Sequence, residues 1–213
     1  MSDSSSMVFS PMAVRKVIGF LGTSLPFILA IGGLLIFDVG IRRTVSLYYH
    51  TEMRDVFVGM LFAISVGLLT YRGYDWRDNV FTNVASVLAI GVALFPTDAD
   101  PDVYSTIGTI HLVCAGGFFA VLIYIAGWLF TKSKNTTPRK RLRNRIYKLC
   151  ACIMAGALLL MFAYYLLPED INAQLRVYNP VFYLEALAIA AFGFAWLVKG
   201  GALLKDKPVS VVV

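Results

Sequence analysis

Cysteine, histidine and charge are all scarce in this chain. Its 213 residues include three cysteines and two histidines, and only 15% of them are charged. Cys150 and Cys152 form a C-x-C pair, a spacing that falls short of a metal site on its own, and the polar stretches of the chain hold no cysteine for a disulfide. We therefore expect Cys114, Cys150 and Cys152 to be packing residues.

Internal repeats, low-complexity tracts and linkers are also missing. The lack of a repeat weighs against the repeat-built transporter folds, and the lack of a linker predicts one domain over residues 1–213. A catalytic triad is not legible either. Ser46 and His50 have the i, i+4 spacing of a nucleophile and its base, but that proximity alone does not establish one.

Apolar residues are what the chain has in abundance: 58% of it is hydrophobic, and its mean hydropathy is +0.71. A helix needs about 20 apolar residues to cross a bilayer. Six segments come close to that length or exceed it, at about 17–37, 51–71, 80–96, 106–130, 148–167 and 181–199. The sequence therefore predicts an all-α integral membrane bundle of six transmembrane helices. The first segment lacks a small-residue cleavage site after a short apolar core, so we expect it to remain as a helix.

The positive residues predict the orientation of these helices. Of the 19 Lys and Arg residues, 15 fall in four alternate segments, 1–16, 71–79, 131–148 and 199–213. The positive-inside rule places those segments, and so both termini, in the cytoplasm of a cell that carries the protein in its inner or plasma membrane. Nine of the thirteen acidic residues fall on the other side. The net charge of +6 is then a topological asymmetry and does not indicate nucleic-acid binding.

Three cytoplasmic segments are expected outside the helices: a disordered tail over 1–12, a basic loop over 131–147 and a second tail over 204–213. The basic loop has two interpretations. It either binds anionic lipid or a protein partner, or it only fixes the topology by lying among the headgroups.

The stretch "SLYYHTEMRDVFVG", residues 46–59, puts many ionisable groups at one predicted membrane entry. The apolar run after Asp55 is 16 residues long, or about 24 Å at about 1.5 Å per residue, which is short of a hydrocarbon core of about 30 Å. We therefore expect the helix to begin earlier and to include Glu52 and His50. If it reaches Ser46, then Ser46, His50 and Arg54 share one helical face.

Two further ionisable residues are predicted at a similar depth. His111 and Glu185 each lie about five residues into a helix that enters from the outside. A charged group inside a span is costly, so an intramembrane His or Glu is a functional-site hypothesis by default. With His50 and Asp55 they form one layer of the outer leaflet. The competing interpretation is structural: an interfacial rim, or an ion pair of Arg54 with Asp55 or Glu185. The acidic turn "PTDADPD" lacks the spacing of a calcium loop, and we interpret it as a solvated turn.

Two resemblances add to this reading. The blocks "YYHTEMRDVFVGMLFAISV", "GVALFPT", "PRKRLRNRIY" and "FYLEALAIAAFGFAWLVKG" resemble a family of bacterial six-span membrane proteins, a likeness that brings no activity with it. Ser46-Leu-Tyr-Tyr-His50 is similar in spacing to the Ser-x-x-x-His motif of the alkaline ceramidase and adiponectin-receptor superfamily. That likeness implies zinc-dependent hydrolysis of a lipid amide or ester, with His50 as a metal ligand and Ser46 supporting the site. The chain departs from the superfamily in having six predicted helices instead of seven and no His-x-x-x-His pair.

The leading functional prediction is thus a metal-dependent hydrolase of a lipid-like substrate at the outer leaflet. In it His50 and His111 bind zinc, one of Asp55 and Glu185 completes the ligand set, and the other acts as general base. The alternatives are a small ion channel or proton-coupled transporter that uses the same acids and Arg54 as a charge pathway, and a non-catalytic scaffold or lipid-binding protein. Membrane lipids are the expected partners, and the oligomeric state is left open.

Overall fold

The computed structural model describes residues 10–73, 75–100, 103–132 and 137–204, and these ranges are helical with no β-strand. Two short segments depart from α-helical geometry: a 3-10 turn at Ser46–His50 and a π-helical end of α4 at Ile125–Leu129. The seven α-helices of the described ranges are α1 Pro11–Phe37, α2 Arg54–Thr70, α3 Trp76–Leu94, α4 Thr106–Tyr124, α5 Pro138–Tyr165, α6 Glu169–Arg176 and α7 Pro180–Lys199.

Among the described residues, four helices are long and apolar enough to cross a membrane. They are α1, α4 with its π-helical end, α5 and α7. The α2 helix has 17 residues and reaches about 25 Å at about 1.5 Å per residue. The all-α fold with several membrane-type helices is therefore confirmed. Six crossings and the orientation of the termini stay predictions.

The helices form a closed ring. Each of α1 to α4 packs against the next helix in sequence, and α7 packs between α5 and α1. The short α6 precedes α7 and is fastened to the end of α5, because Asn172 exchanges hydrogen bonds with the hydroxyl and the carbonyl of Tyr164 at 3.0 and 3.2 Å. The outside of the ring exposes large apolar side chains, as expected for lipid-facing residues. Examples are Phe20, Leu112 and Leu159.

Glycines close the ring at the α1–α7 seam. A Cβ atom on Gly19 would lie 2.6 Å from the backbone nitrogen of Leu197, and one on Gly193 would overlap the backbone nitrogen and hydroxyl of Thr23. Small residues at such a crossing let two backbones approach closely, which is how helices gain packing energy in a bilayer. The seam matters for function because α7 carries Glu185 into the ring.

The start of α2 differs from the prediction. Arg54 and Asp55 belong to the helix, but Glu52 and His50 do not, and Thr51 is extended at φ −131° and ψ 176°. The Thr51 hydroxyl donates to the carbonyl of Tyr48 at 2.8 Å and accepts from the backbone nitrogen of Met53 at 3.2 Å. These local bonds compete with the helical ones. Ser46, His50 and Arg54 therefore do not share a continuous helical face.

The start of α5 also differs. The helix begins at Pro138, not near residue 148, because Thr137 caps it by accepting from the backbone nitrogen of Lys140 at 3.1 Å and proline suits the first turn. Much of the basic segment 131–147 is thus helical, and residues 133–136 lie outside the described ranges. Of the two predicted tails, residues 1–9 and 205–213 lie outside them as well, while residues 11 and 12 begin α1.

Candidate functional site

All five residues predicted to form the site lie at one end of the ring. Ser46 and His50 belong to the 3-10 turn between α1 and α2, Asp55 to the first turn of α2, His111 to the second turn of α4, and Glu185 to the second turn of α7. We call this the outer end, after the predicted orientation. The five residues therefore lie at a similar depth, as predicted, but their side chains form three separate groups.

Glu185 and Ser46 form the first group. Both line a cavity of about 50 Å³ inside the ring, whose other described walls are apolar side chains from α1, α2, α3, α4 and α7, including Leu61, Phe118 and Phe192. The Glu185 Oε2 atom accepts a hydrogen bond from the backbone N–H of Val45 at 2.5 Å. Glu185 is the only ionisable group among the described residues that border the cavity.

The bond to Val45 explains how a carboxylate is tolerated here. Val45 immediately precedes the 3-10 turn, whose first N–H groups lack partners within the turn. The backbone of Ser46, the next residue, also lies near the Glu185 carboxylate. A carboxylate that accepts backbone N–H groups at the start of a helical turn gains charge-assisted hydrogen bonds. Glu185 thereby ties the last helix to the loop that covers the outer end.

The two histidines form the second group, at the loop that follows α3. His50 is exposed, and its Nε2 lies 2.7 Å from the carbonyl oxygen of Thr97. His111 is buried, and its Nδ1 lies 2.7 Å from the carbonyl oxygen of Phe95. Because a carbonyl only accepts, each bonded nitrogen carries a proton. In the neutral rings, Nδ1 of His50 and Nε2 of His111 are the nitrogens with a lone pair.

Asp98 stabilises the same loop. Its carboxylate accepts from the hydroxyl and the backbone nitrogen of Ser105, at 2.5 and 3.1 Å, and Ser105 in turn caps α4 through the backbone nitrogen of Gly108. A side chain at position 108 would overlap the Asp98 carboxylate. Asp98 thus supports the residue that caps α4, while Ala99 and Asp100 of the same acidic turn are exposed and residues 101 and 102 lie outside the described ranges.

Asp55 and Arg54 form the third group, on the exposed side of the first turn of α2. Arg54 donates to the hydroxyl of Tyr49 at 2.9 Å and lies over its ring at 4.6 Å. In the part of the chain that the structure describes, no ion pair joins Arg54 to Asp55 or Glu185. Tyr48, the neighbour of Tyr49 in sequence, is fully buried, and burial raises the pKa of its phenol.

A complete zinc ligand set is not assembled by these contacts. Within the described ranges, no three His, Cys, Asp or Glu side chains are grouped closely enough to share a metal ion. The histidines contact the 95–97 segment, while Glu185 is engaged with Val45. Zinc binding by His50 and His111 stays a prediction.

Sequence reasoning missed a second cluster, at the opposite end of the ring. Lys140, Lys199 and Asp78 are all buried there, with 8, 9 and 2% of their surfaces exposed. Asp78 belongs to a capping box with Asp75 at the start of α3, and Lys132 lies 2.8 Å from Asp75 and 3.7 Å from Asp78. The positive-inside rule counts such lysines only as headgroup charges, so it carries no signal of their burial.

In comparisons with protein-family models, curated proteins and solved structures, nothing matched this chain. The two resemblances drawn from the sequence therefore stay predictions.

Proposed function

We propose that this chain crosses a cell membrane six times, with both termini in the cytoplasm, and moves protons along the axis of the helical ring. Glu185 is the group that takes up and releases the proton. One observation carries the proposal: a single carboxyl group from α7 borders a cavity inside the ring whose other walls, apart from Ser46, are apolar. Ionisable residues that face the interior of a membrane bundle commonly mark proton and ion pathways.

The size of the cavity favours protons and water over an enclosed lipid. Its volume is about 50 Å³, whereas sites that enclose a drug-sized molecule measure about 300–1,000 Å³. A single water needs about 10–15 Å³ measured in the same way. The cavity therefore has room for a few waters beside Glu185 and the neighbouring Ser46, and these are the groups that a proton relay uses.

Proton flux into liposomes tests the proposal. Purified protein is reconstituted with an internal pH-sensitive dye, and a potassium gradient with valinomycin drives proton entry. We expect the parent protein to acidify the vesicles faster than protein-free liposomes, and Glu185→Gln to fall to the protein-free rate. Asp55→Asn is the matched control, because it removes one carboxylate at the same end but on the exposed side of α2. The proposal fails if the parent shows no flux or if Glu185→Gln conducts as the parent does.

The metal-dependent hydrolase remains a second candidate, with one observation in its favour. Each histidine donates one ring N–H to a carbonyl oxygen, which is the usual outer hydrogen bond of a metal-binding histidine. The test is the zinc content of protein purified without chelators or added metal. About one zinc per chain, lost when His50→Gln and His111→Asn are combined, would support this candidate, because those amides can keep the carbonyl bonds. Metal-free parent protein would exclude it.

A further inference from the structure

Three polar side chains follow one another along the buried face of α3. Asp78, Thr82 and Ser86 are spaced by four residues each, and all are at most 2% exposed. Residues four apart lie one above the other on a helix, at about 6 Å per step. These three residues, which we call the polar file, therefore run from the start of α3 to its middle. The start of α3 lies at the end of the ring opposite the outer end, and we call that end the inner end.

A buried serine on α2 bonds to the upper member of the polar file. The hydroxyl oxygens of Ser65 and Ser86 lie 2.8 Å apart, and each hydroxyl also reaches the backbone carbonyl of the other residue, at 3.1 and 3.0 Å. A hydroxyl has a single proton to donate but two lone pairs that accept. The pair therefore has two arrangements. Either Ser65 donates to the Ser86 hydroxyl and Ser86 to the Ser65 carbonyl, or the two roles are exchanged.

Ser65 brings this serine pair close to the cavity that Glu185 borders. It lies one helical turn from Leu61, towards the inner end, and directly after Ile64, and both of those residues line the cavity. One turn of helix is about 5.4 Å, a gap that a single water can bridge with a hydrogen bond to each side. The same one-turn spacing separates neighbouring members of the polar file.

Helix packing accounts for only part of this polar file. Hydroxyl groups at a helix interface hold membrane helices together, and the serine pair does join α2 to α3. Thr82 is different, because its hydroxyl donates to the carbonyls of Asp78 and Asn79 in its own helix, at 2.9 and 3.2 Å. The polar file also lowers the hydropathy of α3, which is not among the four described helices apolar enough to cross a membrane.

We propose that Ser65 and the polar file carry protons between Glu185 and the inner end of the ring, an inference that rests on the proposed function of Glu185. In each step a hydroxyl oxygen accepts a proton on a lone pair and releases its own proton to the next oxygen or to a bridging water. One proton thus leaves the polar file at Asp78 for each one that enters from Glu185, and no group is changed. The two arrangements of the serine pair let it pass a proton and then reset by rotation of its hydroxyls. Asp78 shares a capping box with the exposed Asp75, which brings the inner end of the polar file next to water.

Proton flux into liposomes, driven by the potassium gradient, tests the polar file at Thr82. Thr82→Val removes the hydroxyl and keeps the shape of the side chain, so we expect its flux to fall to the protein-free rate. Thr82→Ser returns a hydroxyl to the same position and should recover most of the lost flux. Thr70→Val is the matched control and should conduct as the parent does. Thr70 also donates to a carbonyl of its own helix, but it lies on the exposed side of α2.

A second variant tests the serine pair and decides the matter if Thr82→Val does not fold. Ser65→Ala and Ser86→Ala are combined, because removing both hydroxyls leaves neither one without its partner. We expect this double variant to lose flux as Thr82→Val does. Unfolding midpoints in detergent show whether each variant has kept its fold.

The outcomes separate this inference from the proposed function. If the parent conducts and Glu185→Gln does not, but Thr82→Val and the double serine variant conduct as Thr70→Val does, the polar file is overturned and the function of Glu185 stands. Equal flux of Thr82→Ser and Thr82→Val would also overturn it, because the hydroxyl would then make no difference. A parent protein without flux overturns both proposals.

Discussion

Glu185 on α7 and Val45 at the outer loop are joined by a hydrogen bond of 2.5 Å between residues 140 positions apart in sequence. The bond fastens the last helix to the loop between the first two helices, directly above the cavity that Glu185 borders. Glu185 therefore has a structural task as well as the proposed proton-carrying one. Variants that keep or remove the acceptor separate the two tasks.

Glu185→Leu should destabilise the protein more than Glu185→Gln. The glutamine carbonyl can still accept from Val45, whereas leucine leaves that N–H without a partner, at a cost of about 1–3 kcal/mol. Thermal or denaturant unfolding in detergent measures the difference. Equal stabilities of the two variants would show that the hydrogen bond contributes little, and a glutamine variant that fails to fold would show that the charge itself is structural.

His111→Ala should cost more stability than His50→Ala. His111 is buried, and its removal leaves the Phe95 carbonyl without its donor, which costs about 1–3 kcal/mol. His50 is exposed, so water can replace its bond to Thr97. His111→Asn should recover part of the loss, since the asparagine amide nitrogen can stand close to the position of Nδ1. Unfolding midpoints of the three variants check this order, and a larger loss for His50→Ala would contradict it.

Hydropathy predicted the helices well and their ends poorly. The apolar segments at 17–37, 106–130 and 181–199 agree with α1, α4 and α7 to within a few residues at most ends. The ends depend on local polar bonds that hydropathy does not weigh: the Thr51 hydroxyl stops α2 from extending towards His50, and the Thr137 cap starts α5 inside a charged segment.

The sequence could predict how deep in the bundle the candidate site residues lie, but not which groups they contact. Counting residues from the predicted membrane entry placed His111 and Glu185 at the outer end, because helical rise is constant. Their partners are backbone groups of loops, at Phe95 and Val45. Loop paths are set by the whole ring, so the sequence offered no signal for them. The burial of Lys199 was missed for the same reason, since it depends on how α1 and α5 flank the end of α7.

Asp75→Asn should lower stability at neutral pH but not in acid. The hydrogen bond from the Lys132 side chain, followed by that from the Asp78 backbone N–H, holds the pKa of the exposed Asp75 carboxyl below its ordinary value of 3.8. A carboxyl with a lowered pKa stabilises the folded state above its unfolded pKa, and that contribution is lost as the pH falls through the lower folded pKa. Asparagine keeps the helix cap and removes only the charge.

Unfolding midpoints of the parent and Asp75→Asn, followed from neutral pH downward, check this prediction. The small gap between the two proteins should close below pH 3.8. A gap of constant size across the whole range would mean that the Lys132 pairing is not its cause.

Gly193→Ala should destabilise the ring at its closing seam. The added methyl group would overlap the backbone nitrogen and hydroxyl of Thr23 and lie 2.7 Å from the carbonyl oxygen of Gly19, so α1 and α7 must move apart. Overpacking of this kind costs about 1–3 kcal/mol. Gly59→Ala is the matched control, because it makes the same change in α2 where no atom lies within 4 Å. The control should be neutral or gain up to about 1 kcal/mol from the reduced freedom of the unfolded chain. Denaturant unfolding in detergent compares the two, and equal stability would mean that the seam is looser than its geometry indicates.

Because α7 brings Glu185 to the cavity, we also expect Gly193→Ala to lower proton flux in liposomes while Gly59→Ala leaves it at the parent rate.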